Sequence, residues 1–367
     1  MGGVLACECR PADRSQEPSV APAVTALGAL PPVRVIEGPH GDVNYQALVD
    51  AGEPVVLKGA GQHLPLVAAG REGAKAAMAY LLRFDAGRGV VGFVGDPAIG
   101  GRFFYNEDLS AMNFAGGRAP LAHYLERIRD GMGQPDAPSI YVGSTDLDIY
   151  LPGFREENPV VPDGALPGAQ APLASIWIGN RTTAAAHWDM SNNVACPLVG
   201  RRRFTLFPPD QVANLYPGPL EPTPGGQVVS MVDFRAPDHA RYPGFRQALA
   251  TARVAELEPG DVLVYPALWW HQVEALDPFN VMVNYWWNEA PAFADTPMTT
   301  LLHALLSLRD RPEHEKQSWR ALFDYYVFGP ADRAGEHLPP HARGPLAPLD
   351  DRTARRLRAQ VMQRLNR

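Results

Sequence analysis

Between about residues 139 and 288 the chain is cut into strand-length runs by proline, glycine and asparagine. Ser139–Val142, Leu173–Gly179, Arg203–Phe207, Val228–Val232, Asp261–Tyr265 and Asn280–Trp287 each hold a few apolar or β-branched residues between turn formers. No long helix fits between such breaks. Short strands at this density predict a β-sandwich or jelly roll, and the 37 prolines agree, since proline is tolerated at sheet edges and turns rather than in central strands.

The flanks have a different texture. Residues 1–30 are rich in Pro, Ala and small polar residues with no apolar period, as expected of an unstructured extension. Residues 31–135 read as an α/β lead-in: short strands at Pro54–Lys58 and Gly89–Gly95, a helix over 66–84 and another over 119–130. The β-rich core is assigned to 136–290. Residues 291–367 turn helical, with Leu301, Leu302, Leu305 and Leu306, then Trp319, Leu322, Phe323 and Tyr326, then Leu357, Val361 and Leu365 at helical spacing, and Pro312 dividing the first two helices. Such stripes need a surface to cover, on the same chain or on a second copy.

Composition excludes several classes. With 46% hydrophobic and 20% charged residues, the chain is a folded globular protein. Its formal charge of −7 argues against a nucleic-acid backbone as the main partner, and no run of 18 apolar residues predicts a membrane span. Three cysteines, Cys7, Cys9 and Cys196, match neither a zinc knuckle nor a disulfide framework, which predicts a reducing, cytoplasmic setting.

One motif carries chemistry. In an extended His187-Trp188-Asp189, His187 and Asp189 project from one face and Trp188 from the other. His40-Gly41-Asp42 has the same pattern, but the Gly38-Pro39 that precedes it suggests a turn. A third ligand is available at His271. Pro259-Gly260-Asp261 opens an apolar strand, Pro266 ends it, and His271 starts the next extended run. In a rolled sheet these distant strands become neighbours. Two imidazoles and one carboxylate leave coordination positions open on an octahedral ion, which suits non-haem iron(II). Zinc is the rival metal, although zinc hydrolases usually place two ligands on one helix. The plain alternative for His271 is a core histidine among tryptophans. Trp269, Trp270, Trp286 and Trp287 are candidates for a chamber wall or for ordinary aromatic packing.

Taken in order, His187-Trp188-Asp189, Gly200 through Pro209, Leu215-Tyr216-Pro217, Pro259-Gly260-Asp261, Pro266 with Trp269-Trp270-His271, and Val283-Asn284-Tyr285-Trp286 resemble the cupin-like branch of the JmjC oxygenases, in particular its asparaginyl hydroxylases. The resemblance implies a mainly β fold with α additions, built on a double-stranded β-helix that binds Fe(II), 2-oxoglutarate and O2. It places His187, Asp189 and His271 on the metal and catalytic positions. Arg202 falls where the family holds the far carboxylate of 2-oxoglutarate. Strand parity supports that choice independently, because Arg202 shares a face with Phe204 and Leu206. Tyr141, Asn193 and Asn284 match co-substrate positions. The hydroxylases usually carry Lys at Arg202 and a hydroxyl at Ala184; Thr183 is the neighbour that would supply one. Only three of the chain's 33 basic residues are Lys, so codon bias suffices to explain the Arg.

The implied reaction is hydroxylation of a C–H bond of a protein or peptide side chain, or of an amino-acid-like molecule, with release of succinate and CO2. The C-terminal stripes are expected to form a homodimer, as the family's do. Two other functions stay open: a cupin-type enzyme acting on a small molecule without 2-oxoglutarate, and a non-catalytic metal-binding module.

Overall fold

A computed structural model describes residues 30–38, 43–168 and 171–366. The expected extension, apart from residue 30, lies outside the described residues, as do Cys7, Cys9 and the second motif copy at His40 and Asp42.

Among the described residues, fourteen strands run in chain order: β1 (Arg34–Ile36), β2 (Val55–Leu57), β3 (Val90–Gly95), β4 (Arg102–Phe103), β5 (Phe114–Ala119), β6 (Ser139–Asp146), β7 (Leu173–Gly179), β8 (Thr183–Trp188), β9 (Asn192–Val199), β10 (Arg202–Phe207), β11 (Arg253–Leu257), β12 (Val262–Tyr265), β13 (Trp270–Ala275) and β14 (Asn280–Trp287). They form two sheets. The larger has the order β1-β2-β12-β9-β14-β7-β6-β3-β5 and the smaller β11-β10-β13-β8-β4. Consecutive strands β7, β8, β9 and β10 alternate between the sheets, which is the winding of a double-stranded β-helix. Strands from the lead-in and the core share the larger sheet.

The described residues divide into two compact units: those up to 162 together with 174–285, and those within 163–173 together with those from 286 on. In the first, the core lies between the sheets. Val56, Ala195, Leu263, Tyr265 and Met282 from the larger sheet meet Phe204, Leu206, Ala255, Leu257 and Val273 from the smaller. On the other side of the smaller sheet, Ala186, Phe207 and Trp270 are covered by Leu215, Val232, Phe234, Phe245 and Ala248. Strand alternation explains both faces, since Phe204 and Leu206 point one way and Phe207 the other.

The turn before β12 fixes that strand. Gly260 has φ +92°, and a Cβ there would lie 2.8 Å from the Gln62 backbone, so only glycine fits. The adjacent Asp261 is fully buried, paired with Lys58 at 2.7 Å and accepting from the backbone N–H of Gly59 and Glu258. A buried carboxylate is tolerable because three donors satisfy it.

Some expected elements differ. The helix read over 66–84 is two, Pro65–Glu72 and Ala74–Leu82, broken where Gly73 takes φ +125°. Val228–Val232 is not a strand. Its backbone bonds are split between two neighbours, with Ser230 N–H donating to Ala186 O and Met231 N–H to Tyr216 O. Only single bridges result, His187 with Val229 and Pro217 with Ser230.

The second unit carries helices Pro297–Ser307, Glu313–Phe323 and Asp351–Leu365, with a π-helical turn at Asp324–Phe328 interrupting the predicted 319–326 stripe. Asp350 and Thr353 form a capping box, and Arg358 pairs with Asp295 at 2.9 Å. No helix among the described residues is long and apolar enough to cross a membrane.

Candidate metal and co-substrate site

Strand β13 runs antiparallel to β8, with Trp270 opposite Trp188 and His271 opposite His187. That register brings the third histidine to the first two ligands. One potential ligand atom from each of His187, Asp189 and His271 lies within 4.8 Å of the others; among the described residues this is the one such cluster of His, Cys, Asp or Glu. The rings of His187 and His271 have centroids 4.3 Å apart, and His271 Nε2 lies 3.6 Å from Asp189 Oδ2.

Both imidazoles are oriented by backbone. His187 Nδ1 is 2.8 Å from Ala185 O and His271 Nδ1 is 3.0 Å from Trp269 O. A carbonyl can only accept, so each Nδ1 carries a proton and Nε2 is the ring nitrogen left to serve as a ligand. The His271 pKa is lowered to about 4, by burial first and then by the neighbouring His187, while Asp189 and the bond to the Trp269 carbonyl pull the other way. His271 is thus neutral near pH 7, the form a metal requires. The loop before it is pinned to the ligand segment, because Leu268 N–H donates to Asp189 O at 2.8 Å and Ala267 N–H to Asn192 Oδ1 at 3.0 Å. Leu268 holds φ +67°, a left-handed conformation that costs a leucine about 1–2 kcal/mol.

Asn193 and Asn284 do not stand apart from the ligands. Asn193 Nδ2 donates to Asp189 Oδ2 at 3.0 Å, and Asn284 Nδ2 faces Asn193 Oδ1 at 3.3 Å. Both are buried. Trp177, which the sequence reading did not single out, donates its indole N–H to Asn284 Oδ1 at 2.6 Å. An aromatic in a strand reads as core packing, so no sequence signal separates it.

Arg202 is 1% exposed on the inward face of β10. Its guanidinium is electrostatically coupled to the Tyr141 hydroxyl, and Nε and Nη2 have no hydrogen-bond partner. Those two nitrogens form one edge of the guanidinium, the fork that receives a carboxylate through two parallel bonds. A buried cation with an empty fork is costly unless an anion completes it, so the residues fit an anionic co-substrate. Tyr141 stays a neutral phenol because burial raises its pKa, although Arg202 opposes this. Tyr265, whose ring lies 4.9 Å from His271, is likewise held well above the usual phenol range, by burial and then by Asp189.

Ala184 and Thr183 fall on different faces of β8. Between His271 and Val273 the register with β8 shifts by a bulge, which pairs Ala184 with Val273 and Thr183 with Glu274. Ala184 therefore packs against the inter-sheet core and Thr183 lies on the opposite face, where its hydroxyl cannot replace one at 184. Trp270 also points away from the ligands, into the cluster behind the smaller sheet, whereas Trp269 joins the inter-sheet core.

Two imidazoles on adjoining strands and a carboxylate just after one of them, within a double-stranded β-helix, form a candidate metal site of the cupin kind. Comparison with known proteins agrees. The cupin-like domain matches residues 42–293. HSPB1-associated protein 1 of Bos taurus is 32% identical over 162 residues, covering 43% of this chain and 33% of that protein. Lysine-specific demethylase 8 of Xenopus tropicalis is 27% identical over 172 residues, covering 46% and 36% respectively. tRNA wybutosine-synthesizing protein 5 of Danio rerio is 34% identical over 106 residues, covering 29% of each. The chain spans about a third of the length of these curated relatives. It belongs to the cupin-like domain family.

Proposed function

We propose that the chain is an Fe(II)- and 2-oxoglutarate-dependent oxygenase that hydroxylates a C–H bond of a protein or peptide side chain and releases succinate and CO2. The observation that carries this reading is the joint presence of two backbone-oriented imidazoles clustered with Asp189 and a buried guanidinium fork at Arg202 without a hydrogen-bond partner. A cupin enzyme without 2-oxoglutarate, or a silent metal-binding module, would have no use for that fork.

When bound, Fe(II) with 2-oxoglutarate supplies the activated oxygen that the C–H bond receives. The chain's own residues prepare the site. His187, Asp189 and His271 hold the metal on one side and leave the rest of its sphere open. Arg202 would receive the far carboxylate of the co-substrate, and burial of the surroundings would exclude water from the charge pair. Neutral Tyr141 and Tyr265 add no charge that would repel the diacid.

A protein substrate is supported by the relatives whose printed names are lysine-specific demethylases. The relative named for tRNA wybutosine synthesis makes RNA the competitor, and the net charge of −7 weighs against it. A cytoplasmic setting suits Cys196, a free thiol buried in β9. A homodimer is supported by the exposure of Leu302, Leu306, Tyr326, Val327 and Phe328 in the second unit.

The test is succinate release by purified protein given Fe(II), 2-oxoglutarate and O2, followed by mass spectrometry of cell-extract proteins for a gain of one oxygen. Succinate formation that depends on all three, with an oxygen gained on a protein, is the expected result. No 2-oxoglutarate consumption under any substrate supply would remove the reading.

A further inference from the structure

We infer that Trp177 is a positioning residue for the metal site: its indole N–H sets the direction of a hydrogen-bond chain, Trp177 to Asn284 to Asn193 to Asp189, that presents the Asp189 carboxylate to the ion. The inference rests on the metal-site reading above and adds a residue that this reading does not require.

The seat of the indole is built. Trp177 stacks on Tyr141 with ring centroids 5.5 Å apart and planes 22° from parallel. Gly143 of β6 also borders the ring so closely that any side chain there would collide with the indole. With the ring so fixed, its N–H points at Asn284 Oδ1 over 2.6 Å.

The direction of the chain follows from what each group can do. An indole N–H is donor only and an ionised carboxylate is acceptor only, whereas each side-chain amide has one face of either kind. The indole therefore takes the oxygen of Asn284, turning its NH2 toward Asn193. The oxygen of Asn193 receives that group over 3.3 Å, and its own NH2 is left to donate to Asp189 Oδ2 over 3.0 Å. Without the donor at 177, Asn284 is free to flip, Asn193 can follow, and an amide oxygen then faces the carboxylate. That arrangement repels Asp189 from the position in which it meets the two imidazoles.

The test uses Co(II) as the probe, titrated calorimetrically and by its visible absorption into full-length protein without co-substrate. Trp177→Phe keeps the stacking ring and loses the donor; Asn193→Ala removes the last link. Trp177→Phe is expected to weaken Co(II) about 10-fold, the low end for outer partners of metal ligands. It should add nothing in the Asn193→Ala background, because the indole acts only through Asn193. Asn284→Leu, which interrupts the chain without touching the aromatic stack, should match Trp177→Phe and covers the case in which the latter fails to fold. Co(II) affinity unchanged within twofold in both Trp177→Phe and Asn284→Leu, or full additivity with Asn193→Ala, overturns the inference while leaving the metal site intact. Absence of Co(II) binding to the unaltered protein overturns the metal-site reading as well.

Discussion

His187 and His271 face each other in register across β8 and β13, and each imidazole is held by the carbonyl two residues before it, Ala185 and Trp269. The two ligands are thus set by backbone geometry rather than by neighbouring side chains, so the site is organised before any ion arrives. Replacing either histidine removes a ligand without disturbing the hydrogen bonds that orient the other.

His271→Ala is accordingly expected to weaken Co(II) binding by more than the 10–100-fold typical of losing an outer partner, with the apo fold retained. Calorimetric titration beside a thermal melt checks it. Affinity within tenfold of the unaltered protein would remove His271 from the ligand set.

Gly260 tests the fold rather than the chemistry. Gly260→Ala forces an alanine to φ +92° with its Cβ against the Gln62 backbone. Both effects act on the turn that carries the buried Asp261–Lys58 pair. A loss of about 2–4 kcal/mol in denaturant unfolding is expected, in the range of strained backbone plus overpacking. A loss below about 0.5 kcal/mol would show that the turn can rearrange.

Asp233 offers a pH signature. Burial pushes its pKa up, but hydrogen bonds from Arg235 and the charge of Arg102 outweigh this and hold it below the ordinary carboxylate value. A depressed folded pKa contributes stability above the unfolded value, lost as pH falls through the folded one. Asp233→Asn should therefore lower Tm near neutral pH, and the gap to the unaltered protein should close as pH falls below about 4. A gap that is constant or widens on acidification contradicts the assignment. The effect is local to the segment beside β8, since Arg235 also donates to Gly100 O and Val229 bridges His187.

Much of this architecture could be read from the sequence. Punctuation by proline and glycine implies short strands, and blocks in fixed order around His187, Asp189 and His271 imply that these residues meet, because a rolled sheet leaves few ways to pair distant strands. Register was not legible. From His187, strict alternation would turn Thr183 inward, but one bulged residue on β8 reverses the remainder of the strand and turns Ala184 inward instead. Nor could Val228–Val232 be told from a strand, since its composition fits one while its backbone bonds are shared between two partners. Trp177 escaped notice for a similar reason: what sets it apart from a core aromatic is a single directed N–H, visible only once Asn284 is in place.

The exposed apolar residues of the second unit give a prediction about assembly. Leu306 is 80% exposed and Phe328 76%, next to Tyr326 and Val327. Isolated surface leucines need no explanation, but a group of large apolar side chains on and after two helices is usual where another chain packs. Light scattering should report a dimer for the full chain and a monomer for a chain ending near residue 295. A full chain that stays monomeric at high micromolar concentration contradicts the dimer.

Arg202 gives the most discriminating measurement, because it separates the co-substrate from the metal. A buried guanidinium with an empty fork lowers the stability of the co-substrate-free protein, and replacing an unpaired buried charge with an apolar residue of similar volume often stabilises. Arg202→Met should therefore melt no lower than the unaltered protein when neither metal nor co-substrate is present. With Co(II) and 2-oxoglutarate at about 100 times its Kd, the unaltered protein should gain about 2.7 kcal/mol of apparent stability. Arg202→Met should gain only what the metal provides. Equal stabilisation of both proteins by 2-oxoglutarate would mean that the anion sits elsewhere, and the fork at Arg202 would then need another ligand to account for it.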